Sequence, residues 1–144
     1  MQHILVLCLG NVCRSPMAEA LLARAFPEKT IWSAGLDALE GHPADPLAVE
    51  VAAEHGLDLS AHRAQRLSPW MCQTADLILV MEQAQHLALV RRQPQALGKV
   101  YRLGELDDFD IPDPYRQSRV AFEVAYDEVR RGVAAWVPRI RRLD

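Results

Sequence analysis

The feature that most constrains this chain is a pair of short, uninterrupted apolar runs, His3 to Leu9 (HILVLCL) and Ala75 to Met81 (ADLILVM). Strict alternation would mark a strand with one wet face. Continuous apolarity over so few residues marks a strand buried on both faces, the place of a central strand in a parallel sheet with helices above and below. Helical and weaker strand signals alternate around the two runs. Gly10-Asn11 breaks the first. Pro16 then stands where the first turn of a helix favours it, with Met17, Leu21 and Phe26 on or near one face. Thr30 to Ala34 reads as a short strand closed by Gly35. Asp45-Pro46 reads as an N-cap followed by proline at the first helical position, and Gly56 stands where that helix should stop. A helix from about Glu82 must end before Pro94, and a weaker strand lies near Val100 to Leu103. From Ser118 onward Phe122, Tyr126, Val129, Val133, Trp136 and Ile140 recur every three or four residues, although Gly132 and Pro138 weaken helix locally. This order predicts an α/β fold: one doubly wound domain over residues 1–144, with a four-stranded parallel sheet flanked by helices on both faces. Ligands of such folds bind beyond the carboxyl ends of the strands.

Composition narrows the function classes. The chain has 144 residues, half of them hydrophobic, and 16 Lys and Arg against 19 Asp and Glu give a net charge of −3. Disorder and a basic nucleic-acid module are poor readings of that balance. A chain of this size buries roughly two-thirds of its unfolded surface and needs no disulfide staples. Three cysteines, Cys8, Cys13 and Cys72, are an odd number, which fits reduced thiols in a cytoplasm. No apolar run reaches the ~18–20 residues of a membrane span, and the opening stretch lacks the positive charge of a signal peptide. The expectation is therefore a cytoplasmic monomer with no nucleic-acid partner and no membrane insertion. Arg139, Arg141 and Arg142 read as a solvated helix end.

The stretch Cys8-Leu9-Gly10-Asn11-Val12-Cys13-Arg14-Ser15 joins a buried strand to a helix start, and its residue types suit one task. A loop there gathers main-chain N–H groups, and the helix beginning near Pro16 adds its positive dipole end, so the two together form an anion site. The same field favours a thiolate at Cys8. Arg14 supplies a planar fork for two phosphate oxygens, and Ser15 can donate to the sulfur anion. Gly10 and Asn11 tolerate the positive φ that such a loop requires. Neither glycine-rich nucleotide pattern is present. Cleaving a phosphate ester also needs an acid for the leaving oxygen. Asp113, bracketed by Pro112 and Pro114, is the best candidate; Asp107, Asp108 and Asp110 lack that rigidity and read as solvated acids.

The stretch CLGNVCRSP resembles the phosphate loop of the low-molecular-weight protein tyrosine phosphatases. Further segments resemble the family in the same order: Ser33-Ala34-Gly35, Ala44-Asp45-Pro46, Ser60-Ala61-His62, Ala75 to Glu82 and Ile111-Pro112-Asp113-Pro114-Tyr115. The SAGLDALEG and IPDPYRQSR stretches are most similar to the bacterial branch associated with exopolysaccharide and capsule export. The resemblance implies a flavodoxin-like fold of the phosphotyrosine phosphatase I type and a hydrolase working through a phosphocysteine on Cys8. Arg14 and the amides of Leu9 to Cys13 would bind phosphate, and Asp113 would be general acid and then base. Tyr115 would form one aromatic wall for the substrate ring, with Leu36 and Leu39 opposite where eukaryotic relatives often carry an aromatic. Asn11, Ser15, Ser33 and His62 would hold the loop in shape. Cys13 would either form a reversible disulfide with Cys8 or fill space as a small buried side chain, and Cys72 reads as core.

His3, His42, His55 and His86 make no metal-ligand spacing with the cysteines, so neither metal nor cofactor is expected. Phosphate and vanadate should bind, and the implied substrate is a phosphotyrosine protein, in this branch a membrane tyrosine autokinase. Three rivals stand beside this reading. An arsenate reductase needs two further neighbouring cysteines and finds only Cys72. A protein-arginine phosphatase is associated with threonine in mid-loop, where this chain has Val12. A binding module without turnover would need neither Cys8 nor Asp113.

Overall fold

The computed structural model describes residues 1–144. Four strands, β1 (His3–Cys8), β2 (Thr30–Gly35), β3 (Leu77–Val80) and β4 (Val100–Arg102), form one sheet in the order β2-β1-β3-β4. All three pairings are parallel, with Val6 opposite Ser33 on one side and Leu79 on the other. Five α-helices connect and follow them: α1 (Arg14–Ala25), α2 (Pro46–Glu54), α3 (Pro69–Thr74), α4 (Gln83–Arg92) and α5 (Arg119–Arg142). Short 3-10 turns cover Pro94–Ala96 and Glu105–Asp107.

The pleat explains why β1 carries no polar residue after His3. Ile4, Val6 and Cys8 point into a core shared with Met17 and Leu22 of α1, Val51 of α2, and Val129 and Trp136 of α5. Leu5 and Leu7 point the other way, against Met71 and Cys72 of α3 and Leu89 of α4. The chain leaves β1 for β2 on one side and later returns to its other side as β3. Strand order therefore reverses at β1, and a crevice opens beyond the carboxyl ends of β1 and β3. Cys8 ends one of these strands, and Met81-Glu82 follows the other.

Several local expectations hold. Asp45 caps α2 by accepting from the Leu47 amide at 2.9 Å, with Pro46 next to it, and Gly56 follows that helix with φ 78°. Helix α1 starts at Arg14 with Pro16 in its first turn, and the Arg14 and Ser15 side chains are buried. Others need correction. Strand β3 is shorter than the apolar run that announced it. Ala75 and Asp76 only lead into it from α3, a six-residue helix too short to show a period. Helix α5 runs unbroken through Gly132 and Pro138. At Gly132 the reason is space: a Cβ there would lie 2.7 Å from Leu103 Cγ and 2.9 Å from the Leu103 carbonyl oxygen. The glycine lets α5 lie directly on the end of β4, and buried Trp136 and Ile140 hold the turns around Pro138. No helix is long and apolar enough to cross a membrane.

Gly132→Ala should lower stability by about 1–3 kcal/mol although alanine is the better helix former, because the crowding at Leu103 exceeds the propensity gain of about 1 kcal/mol. Urea denaturation measures this directly, and a more stable variant would mean that α5 is free to shift.

Candidate active site

Beyond Cys8 the main chain reverses around a small cleft, and its hydrogen bonds run in one direction only. The carbonyls face outward into the protein. Cys8 O accepts from Leu36 N at 3.0 Å, Leu9 O from Asp37 N at 2.9 Å, Gly10 O from Leu39 N at 3.1 Å and Val12 O from Asp45 N at 2.9 Å. Asn11 O is met by His62 Nε2 at 2.7 Å. None of the five main-chain N–H groups from Leu9 to Cys13 donates to a protein acceptor. A run of unengaged amides leading into the N-terminus of α1 is a site for an anion.

Asn11 holds this shape. It is fully buried with φ 59°, a left-handed conformation that asparagine tolerates better than most residues. Its Nδ2 donates to Ser15 Oγ at 2.8 Å and Ser33 Oγ at 2.9 Å, and its Oδ1 accepts from Gln65 N at 2.9 Å. Ser33 Oγ in turn donates to Glu19. Gly10, by contrast, does not use a positive φ, and a Cβ there would meet Leu39 only at an ordinary 3.7 Å, so the expectation for Gly10 is corrected. The glycine that geometry demands is Gly35, whose Cβ would lie 2.7 Å from Leu9 O.

Cys8 lies at the base of the cleft, 2% exposed, with Sγ 2.9 Å from Ser15 Oγ. Leu39, Asp113 and Tyr115 stand on the walls, together with Asp37 and the loop itself. The enclosed space is about 140 Å³, close to the roughly 150 Å³ of a cavity known to accept a benzene ring. An aryl group fits it. Leu36 is not among the walls. Its amide turns toward Cys8 O, and its side chain packs on the opposite core and borders a neighbouring cleft.

Arg14, 1% exposed, is gripped from three sides. Its Nη1 donates to Glu82 and, at 2.6 Å, to Ile111 O, while Nη2 lies 3.5 Å from Asp113 Oδ2. Its buried Nε has no protein partner. Ile111 also anchors the acid's loop, since its amide donates to Met81 O at 3.0 Å. Asp113 Oδ1 accepts from Tyr115 N at 3.1 Å, and Gln117 Nε2 donates to Asp113 O at 3.0 Å. The rigidity thus comes from these bonds as well as the two prolines. The other acids of this segment are exposed, as expected of solvated acids, and each also pairs with an arginine. Asp108 and Asp110 bind Arg102 at 2.6 and 3.1 Å, and Asp107 reaches Arg131 at 3.6 Å.

Sequence reasoning missed Glu82, Asp37, Gln65 and Glu19 as parts of this site. Glu82 left a usable signal, an acid just past the carboxyl end of a buried strand. The others depend on which loops meet. No cluster of three or more His, Cys, Asp or Glu side chains is arranged to hold a metal ion. Cys72 is buried on the far face of the sheet. Cys13, a free thiol bordering the cleft, is held protonated by burial and then by the charges of Asp45, Cys8 and Asp113.

The low molecular weight phosphotyrosine protein phosphatase family matches residues 3–143. The protein named "Probable low molecular weight protein-tyrosine-phosphatase EpsP" of Ralstonia nicotianae is 56% identical over 140 residues, which is 97% of each chain. Among solved structures, Vibrio vulnificus Wzb in complex with benzylphosphonate superposes with a TM-score of 0.92 at 43% identity, covering 96% of this chain and 98% of that one. The YwlE arginine phosphatase of Geobacillus stearothermophilus superposes equally well, TM-score 0.92, at 31% identity over 99% of this chain and 94% of its own.

The Cys13 thiol carries a pH prediction with a definite sign. Its proton is held in the folded chain and released near the ordinary value of 9.0 on unfolding, so its contribution is complete below pH 9.0 and is lost as pH rises further. Stability above pH 9 should fall less steeply in Cys13→Ala than in the parent, by about 1.4 kcal/mol per pH unit. Identical slopes in denaturation at pH 8 to 10 would show that Cys13 titrates normally.

Proposed function

The chain belongs to the low molecular weight phosphotyrosine protein phosphatase family, and from that premise we propose that it cleaves phosphotyrosine in two displacements through a phosphocysteine on Cys8. The observation that carries this reading is the set of five unengaged amides around a cleft with the Cys8 sulfur at its base. In the first displacement the Cys8 thiolate attacks phosphorus in line, the bond from phosphorus to the tyrosine oxygen breaks, and Asp113 gives its proton to that oxygen. In the second, water attacks the phosphocysteine and gives a proton to Asp113, and inorganic phosphate leaves as the thiolate returns.

Little covalent work is left for the remaining groups, which position and neutralise. The loop amides and Arg14, with its Nε to offer, hold the equatorial oxygens. Glu82 and Ile111 O keep the guanidinium in place. The Ser15 hydroxyl, 2.9 Å from Sγ, is placed to donate to the sulfur anion. Tyr115 and Leu39 confine the substrate ring. Asn11, Ser33 and His62 keep the loop in its shape, and no step calls on a metal or cofactor.

Likeness to an arginine phosphatase makes phosphoarginine the second reading. The aliphatic Val12 in mid-loop and the higher identity to EpsP and Wzb favour the aryl ester. An arsenate reductase relay lacks a thiol pair, since Cys72 is buried in a different core. Retention of both Cys8 and Asp113 argues for turnover over mere capture. For the physiological role, the SAGLDALEG and IPDPYRQSR stretches support a membrane tyrosine kinase of exopolysaccharide production as substrate, met by a monomeric enzyme from the cytoplasmic side.

Turnover of phosphotyrosine, phosphoserine and phosphoarginine peptides, measured side by side, tests the reading, with phosphotyrosine expected to be hydrolysed fastest. Cys8→Ser should lower kcat by about 10⁴-fold or more while vanadate binding stays measurable. Asp113→Asn should slow phosphotyrosine by about 10²–10⁴-fold and esters with better leaving groups by less. Equal slowing of both would remove Asp113 from the acid role.

A further inference from the structure

Building on the reading of the Cys8 cleft as the phosphotyrosine site, we propose that the adjoining cleft is a specificity subsite for an apolar side chain flanking the phosphotyrosine. This second cleft encloses about 500 Å³ and shares Leu9, Asp37 and Asp113 with the first. A polypeptide whose phosphotyrosine stands over Cys8 therefore lays a neighbouring residue across it. The floor is aliphatic. Leu9, 47% exposed at the ridge between the clefts, is joined by Leu36 and by Ala84 and Ala88 of α4. These alanines are one helical turn apart on the same face, and larger residues there would fill the space.

Charge does not select the occupant. Asp37 and Arg92 both border the cleft and both are exposed, with the Arg92 guanidinium pinned by its bond to Leu36 O at 3.0 Å. With Asp113 carrying the proton it gives to the leaving oxygen, a charged side chain of either sign meets one attraction and one repulsion, each solvent-screened and worth a few-fold at most. At the inner end Arg14 and Glu82 already match each other. Taking most of a leucine side chain out of water is worth roughly tenfold or more, so apolar contact decides. A side chain seated there also shields the Arg14–Glu82 pair from water, which strengthens the grip on the phosphate-binding guanidinium.

Steady-state kinetics on para-nitrophenyl phosphate, which reaches only the first cleft, and on phosphotyrosine peptides tests this. In the peptides a single leucine is moved position by position through an alanine and glycine background. One position should raise kcat/KM roughly tenfold over the parent peptide, and lysine or glutamate there should do less. Ala88→Trp, which fills the cleft, should erase that preference and leave para-nitrophenyl phosphate turnover unchanged. Should the tryptophan variant fail to fold, Ala84→Phe makes the same test. Turnover of para-nitrophenyl phosphate with no leucine preference at any position would overturn the subsite alone. So would a preference that survives in the filled variant, or one for lysine or glutamate over leucine. Absence of turnover on every substrate would instead overturn the reading of the Cys8 cleft and the subsite with it.

Discussion

The site depends on the way the main chain turns after Cys8. Each carbonyl from Cys8 to Val12 is engaged by an amide or a histidine of another segment, and the N–H groups from Leu9 to Cys13 are left without protein partners. Buried main-chain polar groups are expensive to leave unpaired. A loop that spends its carbonyls and reserves its amides is therefore poised for an anion, and the surrounding protein has to enforce it. Three segments do so: the loop after β2, the cap of α2 at Asp45, and the stretch from His62 to Gln65.

A second layer of polar contacts joins the catalytic candidates to one another. Arg14 is on α1, Glu82 just past β3, and Ile111 and Asp113 on the loop leading to α5, yet one guanidinium touches them all. The doubly wound order makes this possible, since reversal at β1 brings the carboxyl ends of β1 and β3 side by side. Cys8 and Arg14 are thus set by a strand end and a helix start, and the acid and the aromatic wall share one loop. That loop is anchored through the main chain of Ile111.

How far the sequence could be read followed the range of the forces involved. Cys8, Arg14 and Ser15 lie within one short segment, and Asp113 and Tyr115 within another, so their chemistry is local and visible. Asp45 and Pro46 declare a helix start by residue type alone. Asp37 and Gln65 carry no local mark of their role, and Glu82 only its place just past a buried strand, because what they do depends on segments far away in the chain. Of Gly10 and Asn11, which both suit a positive φ, only Asn11 takes it, and the close approach falls at Gly35. Leu36 and Leu39 are equivalent as letters. The turn after Gly35 sends them to different clefts.

By itself the amino-acid order determined the alternation of buried strands with helices, the phosphate-loop chemistry and the candidate acid, because hydrophobic period, capping and residue type act over a few positions. Tertiary structure alone decided that Arg14 is held by Glu82 and Ile111, that α5 passes over Leu103 at a glycine, and that a second aliphatic cleft opens beside the first. Those outcomes come from contacts between segments dozens of residues apart, where close packing, and not local preference, chooses the neighbour.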